Sequence, residues 1–296
     1  MENKAMLIGR IMGKKLPFGK SIGAREIYRM LKDARDEADA SADVVLVGDA
    51  SDTAAILDWL REGARETFRV APPGDTNGFS KETDLVIYTL SGSNTIGPAF
   101  RESAAVCNSF GLESMALIDS AEMNEAAQAA KQVEAELAFD LSPGRVRFFD
   151  PRTPVEDARQ VLGYIVDHLG KKQINLAAAL PCVRPLIVAD IIAGTANENG
   201  VIGAMNFLPG TDMPLLTANQ MRMVLNIAAS HGIALSLRRA RELLFVLGGG
   251  FTFREAARQV VGLVPVAGWA VKGAVAYSGT RTVGLLAHRY FEGLKE

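Results

Sequence analysis

The sequence predicts an α/β domain built on a parallel sheet, over residues 1–170, followed by an all-helical domain over residues 171–296. Three observations predict it. Short β-branched runs alternate with helix-length segments through the first domain. Those runs are apolar throughout instead of alternating with polar residues, as strands covered on both faces are. After Gly170 no such run recurs, and helical segments follow one another between Gly and Pro punctuation. The length of 296 residues accommodates two domains of ordinary size.

Taken in order, residues 22–40 read as a helix with Ile27, Leu31, Ala34 and Ala38 near one face. Residues 43–48 (DVVLVG) form the first strand, and 53–61 a helix with Ser51 or Asp52 as its N-cap. Residues 68–71 are a weaker strand and 72–80 (PPGDTNGFS) a loop. Residues 84–90 (DLVIYTL) are the clearest strand, with two more at 115–118 and 146–149. Helices are expected near 98–110, 121–138 and 155–169. In the second domain a clean helix begins about Pro185 and ends at Asn199-Gly200. Residues 206–212 (NFLPGTD) are a turn in which Thr211 or Asp212 caps the next helix. That helix runs to about Ser230 and stops at His231-Gly232. Further helices are expected at 237–247, 252–263 and 266–292. The polar stretch after Gly170 marks the domain boundary, between Gly170 and Asn175.

Composition narrows the function classes. There are 32 Lys and Arg against 34 Asp and Glu, mixed along the chain. No basic face for nucleic acid is therefore expected. Cys107 and Cys182 lie in different halves and give no disulfide framework, so a reduced, cytoplasmic setting is expected. The first residues do not read as a signal peptide. The longest apolar stretch, 259–280, contains Lys272 and four glycines, so a soluble bundle is expected over a membrane span.

In parallel α/β sheets ligands sit beyond the carboxyl ends of the strands. The loops to weigh are those at 48–52, 91–94, 119–121 and 150–153. The first strand ends in VGDASDT, where a phosphate-binding loop would lie. Such a loop needs backbone N–H groups on the phosphates, a lysine for the outer phosphates and a hydroxyl for magnesium. Gly48 is present, but no Gly-Lys-Ser/Thr follows, and Asp49 and Asp52 would repel a triphosphate. Gly48, Asp49, Ser51, Asp52 and Thr53 thus mark a vestigial phosphate-loop position, with GTP and magnesium not expected as cofactors. Two further matches are weaker. Gly19-Lys20-Ser21 follows Gly13 at the wrong spacing, with Pro17 between, and reads as a solvated lead-in. Asp75-Thr76-Asn77-Gly78 reads as an Asx-type turn rather than a nucleotide motif.

The second half resembles the YcjF-like family of bacterial domains, which are often fused to Era-like GTPase domains. The carriers are NGVIGAMNFLPGTDMPLLTANQMRMVLNIAASHG (199–232), RARELLFVLGGGFTFREAARQV (239–260) and LVPVAGWAVKGAVAYSGTRTVGLLAHRYFE (263–292). The resemblance covers about residues 181–292. It implies that the first half is a GTPase-type domain with eroded motifs. Asp119-Ser120-Ala121 stands where such a domain reads guanine with Asn-Lys-x-Asp.

No residue set completes a catalytic or metal site. His168, His231 and His288 lack metal-ligand spacing, and no serine or cysteine has a readable base. Asp212, Asn219, Gln220, Trp269 and Tyr277 are the candidate interaction residues. For Asp212 a helix cap competes with that role, and for Asn219 and Gln220 an internal hydrogen bond does. In the last helix Ala270, Ala274, Ser278 and Thr282 form one ridge of small side chains, and Ala276, Thr280 and Gly284 another. Such ridges suit close helix packing or self-association. The sequence thus predicts a non-catalytic scaffold acting on a protein partner or by self-association. The alternatives are a weak nucleotide-binding protein or GTPase, and a protein peripheral at the inner membrane through its C-terminal helices.

Overall fold

Five short runs, apolar but for Arg69, Arg147 and the polar ends of the third and fourth, become the five strands of one sheet: β1 (Val44–Val47), β2 (Phe68–Ala71), β3 (Leu85–Ser91), β4 (Ser114–Asp119) and β5 (Val146–Phe149). The structure is a computed structural model. It describes residues 28–29, 32–33, 35–36, 40–61, 63–91, 96–119, 146–155, 159–205, 213–234 and 268–294. The helices expected at 121–138, 237–247 and 252–263, the triplet Gly19-Lys20-Ser21 and the turn with Asp212 lie outside these residues. Two compact units divide the chain, Asp39–Ile187 and the pair Met1–Ala38 with Val188–Glu296.

In the Asp39–Ile187 unit the strand order is β2-β1-β3-β4-β5, every pair parallel. Alternate residues divide the sheet into two buried faces. Val45, Val47, Val86, Tyr88, Leu90, Ala116 and Ile118 lie against Phe100, Ala104 and Cys107 of α3 (Pro98–Phe110). Val44, Leu46, Leu85, Ile87, Met115 and Leu117 fill the other face and are at most 1% exposed. That face belongs to α1 (Ala50–Leu60) and α4 (Arg159–Leu169), which bury Ile56, Leu60, Leu162 and Ile165. A short α2 (Ala64–Thr67) leads into β2. Burial of Tyr88, with the Cys107 thiol beside it, pushes its phenol well above the usual range.

The segment after Gly170 packs into this same unit. A 3-10 turn, Gly170–Lys172, leads into α5 (Gln173–Ala179), which buries Ile174, Leu176 and Ala177. Lys172 Nζ bonds Asp84 at 2.8 Å, and Asp84 also accepts the Asp43 N–H at 2.8 Å. Asp43 in turn takes two bonds from Arg69, at 2.6 and 2.7 Å. This network ties α5 to the amino-terminal edge of β1, β2 and β3.

In the other unit α6 (Arg184–Met205), α7 (Met213–Ser230) and α8 (Gly268–Glu292) are long helices; α6 enters it at Val188. The stop expected at Asn199-Gly200 is not used, and α6 runs through it. A Cβ on Gly200 would meet Tyr277 at 3.2 Å, one on Gly203 would meet Ala276 at 2.8 Å, and one on Gly273 would meet Gly200 O at 2.9 Å. The glycines that read as punctuation are where α6 and α8 touch nearly backbone to backbone. The Ala276–Thr280–Gly284 ridge faces this interior, whereas Ala270, Ala274, Ser278 and Thr282 are exposed. No helix among the described residues is long and apolar enough to cross a membrane.

Removing residues 171–187 strips the buried side chains of Ile174, Leu176, Leu180 and Val183 from the α/β unit. At about 1.5 kcal/mol or more per large apolar side chain, the loss is several kcal/mol. Urea unfolding of fragments 1–187 and 1–170 is expected to give a clearly lower midpoint for the shorter one; equal midpoints would show that α5 contributes nothing.

Candidate functional site

The chain leaves β1 for β2 on one side and returns for β3 on the other, so β1 and β3 flank the point where strand order reverses. Ligands of open parallel sheets bind in the crevice beyond the carboxyl ends there. Gly48, Asp49, Ser51, Asp52 and Thr53 stand at this place, with Ser91 ending β3, Asp119 ending β4 and Asp150 following β5.

Gly48 has a packing reason to be glycine. A Cβ there would overlap the Thr89 hydroxyl and lie 2.7 Å from Thr89 O. The Thr89 hydroxyl donates to Val47 O at 3.3 Å, and the Gly48 N–H donates to Ala71 O at 3.2 Å. The backbone donor that a phosphate loop would offer is thus engaged within the sheet.

The helix that follows starts earlier than the sequence suggests. Asp49, in extended conformation, is the N-cap of α1, so Ser51 and Asp52 lie inside its first turn rather than capping it. That position sends the Asp52 carboxylate towards β3, where Oδ2 accepts the Ser91 N–H at 3.0 Å. Oδ1 accepts the Ser51 hydroxyl at 3.3 Å. The Thr53 hydroxyl turns back on its own helix, donating to Asp49 O at 3.0 Å, and Thr53 is 3% exposed. A protein carboxylate therefore accepts from the Ser91 N–H at the end of β3, and the buried Thr53 hydroxyl is turned onto its own helix.

Asp52, Ala55, Ile56, Leu90, Asp119 and Phe149 line a small cleft. Its apolar lining comes from Ala55, Ile56, Leu90 and Phe149, and the charged groups among its described lining residues are the acids Asp52 and Asp119. Beside it Arg152 grips Asp150 through Nε and Nη2, at 2.9 and 2.7 Å. Those bonds hold the Asp150 carboxyl below its usual range and raise Arg152, to which Asp119 adds a smaller contribution. The loop is pinned to α1 by the Trp59 indole N–H, which donates to Thr153 O at 2.9 Å while its ring lies 5.0 Å from Phe149. Among the described residues no group of three or more His, Cys, Asp or Glu is placed to hold a metal ion. The Asp75 loop is an Asx turn, with the Asn77 N–H and side-chain amide on Asp75 Oδ1 at 3.1 and 3.0 Å.

Asn219 and Gln220 are each 4% exposed and point into the helical unit. The Asn219 amide donates to Asn199 Oδ1 at 2.9 Å. The Asn199 amide donates to Thr280 Oγ1 at 2.9 Å, and Gln220 Nε2 reaches the same oxygen at 3.0 Å. Asn199 and Thr280 are fully buried. Neither belonged to the candidates read from sequence. Their 20- and 81-residue separations along the bonded path leave no local signal. Tyr277 is half-buried against Gly200, and Trp269 lies in α8 with its side chain outside the described residues. Asp212 also lies outside them.

No family model matches the chain, and no curated protein matches it.

Two substitutions test these placements. Gly48→Ala is expected to destabilise the α/β unit by about 1–3 kcal/mol, because β1 and β3 must separate to admit the methyl group. Asn199→Leu is expected to cost the helical unit about 1–3 kcal/mol per amide left without its partner. Chemical denaturation checks both, and changes within about 0.5 kcal/mol would contradict them.

Proposed function

We propose that the chain is a non-catalytic scaffold or interaction protein, in which a degenerate GTPase-like α/β domain is joined to a helical YcjF-like module. The observation that carries this reading is the Asp52 carboxylate on the Ser91 N–H, at the strand-order reversal. Anion sites in such folds are built from backbone N–H groups left open to the ligand. Here Gly48 N–H and Ser91 N–H both have protein acceptors, and Asp119 adds a second acid to the wall. Phosphoryl transfer also requires positive charge on the transferred group, from a lysine, an arginine or a metal. The sequence after Gly48 does not supply the lysine, and the Thr53 hydroxyl is turned onto its own helix.

The interaction half of the proposal draws on α8. Val275, Leu285, Leu286 and Tyr290 are all exposed along it, and Leu294 follows at 57% exposure. Exposed apolar residues repeated along one helix suit a protein partner or a second copy of the chain. The same residues favour contact with a membrane surface as the second reading.

Steady-state phosphate release from GTP and ATP, with magnesium and purified full-length chain, is expected to match the protein-free control. Turnover that disappears in Asp49→Asn or Asp52→Asn would overturn the proposal.

A further inference from the structure

We propose that the exposed face of α8 docks on an anionic lipid bilayer, lying along its surface. The inference rests on the interaction half of the proposed function and names its partner; the state of the switch-point corner does not bear on it. Val275, Leu285, Leu286 and Tyr290 are large apolar side chains left exposed on this helix. At about 3.6 residues per turn, Val275, Leu286 and Arg289 run along one stripe. Leu285 and Arg281 adjoin the stripe on one side, Tyr290 and Lys272 on the other. The opposite side of α8 is spent on the interior of the unit, with Thr280, Val283, Ala287 and Phe291 buried.

Charge decides what fits this face. Lys272, Arg281 and Arg289 are set against Glu292, the single acid of α8. Arg281 and Arg289 are exposed, and Lys272 is half-buried. Among the described residues no acid pairs with any of the three, and Glu292 itself lies 3.3 Å from His288 Nε2. The chain as a whole carries a formal net charge of -2, so this positive strip does not follow from overall composition. Exposed apolar side chains with unpaired cations among and beside them suit a helix lying in a membrane interface. The apolar tips enter the acyl boundary, and the long Lys and Arg stems carry their charges back to the headgroups. Anionic headgroups attract each of those charges. The ring of Tyr290 has an apolar body and a polar tip, as residues at headgroup level do.

A second copy of α8 fits less well. Laid stripe to stripe, each copy would bring three cations and one acid to the contact, a repulsion that anionic lipid lacks. The helix lies on the surface because no helix among the described residues is long and apolar enough to cross a membrane.

Co-sedimentation of the full-length chain with two kinds of vesicle tests the inference: phosphatidylcholine alone, and phosphatidylcholine with a third of the lipid replaced by phosphatidylglycerol. The chain is expected to sediment with the mixed vesicles only, and less as salt is raised. Arg281→Gln with Arg289→Gln is expected to weaken that binding about thirtyfold, roughly fivefold for each basic residue near an anionic surface. Leu285→Gln with Leu286→Gln is expected to weaken it about tenfold or more. Circular dichroism checks that both double variants, changed at exposed positions, keep their fold. If one does not, the other and the wild-type lipid preference decide. Failure to sediment with either vesicle, equal binding to both, or wild-type affinity in the arginine variant would overturn the proposal. Sedimentation equilibrium without lipid separates this failure from that of the broader reading. A dimer abolished by the leucine variant, with no vesicle binding, overturns the membrane inference and leaves the interaction reading standing. Leucine and arginine variants that change neither dimer nor vesicle binding overturn both.

Discussion

Where β1 leaves the sheet its backbone presses on β3 so closely that Gly48 has no room for a side chain beside Thr89. This approach fixes the geometry of the carboxyl edge. It commits the Gly48 N–H to Ala71 on β2, and it starts α1 at once, with Asp49 as its N-cap. With the helix starting there, Asp52 lies in the first turn facing the end of β3, and its carboxylate takes the Ser91 N–H. A residue order that looks like a phosphate loop stripped of its lysine holds, in three dimensions, its Gly48 N–H and the neighbouring Ser91 N–H on protein acceptors. Like a ligand phosphate in a nucleotide-binding fold, the acid accepts from a backbone donor at the switch point, the Ser91 N–H.

The helical unit rests on a different constraint. Gly200, Gly203 and Gly273 bring α6 and α8 together with only the Cβ atoms of Ala204, Ala276 and Tyr277 against them. Backbones that close leave little apolar area to bury, and the buried amides of Asn199, Asn219 and Gln220 meet on Thr280 and on one another. A fully bonded polar cluster fixes the register of three helices more sharply than interchangeable aliphatic contacts do, because any slip leaves a buried donor unsatisfied. On the outside of the same unit Leu285, Leu286 and Tyr290 lie exposed along α8.

The centre of the sheet was legible in the sequence because β1 and β3 hold the apolar runs VVLV and LVIYTL, and burial on both faces demands that pattern, whereas the edge strands β2 (FRVA) and β5 (VRFF) each carry an arginine. The two misread helix ends were not legible, for a shared reason. Ser51 and Asp52 have good capping chemistry, and Asn199-Gly200 is a good stop, but both signals are local. Contacts with β3 in one case, and with α7 and α8 in the other, override them. The place of the candidate site was legible from strand order logic and the VGDASDT ending. Its occupant was not: Asp52 and Ser91 are 39 residues apart, and nothing near either announces the bond. Asn219 and Gln220 stood out as amides in an apolar helix, but their partners Asn199 and Thr280 come from other helices, so sequence could not separate an inner from an outer role.

The central claim is that the switch-point corner is closed to phosphate by the chain's own carboxylate. Backbone amide NMR of the full-length chain, titrated with magnesium GTP and separately with inorganic phosphate, reads this at the two donors concerned. The Gly48 and Ser91 resonances are expected to stay in place at millimolar ligand. Saturable shifts at both, with loss of the Asp52 contact, would show an anion site there and contradict the account.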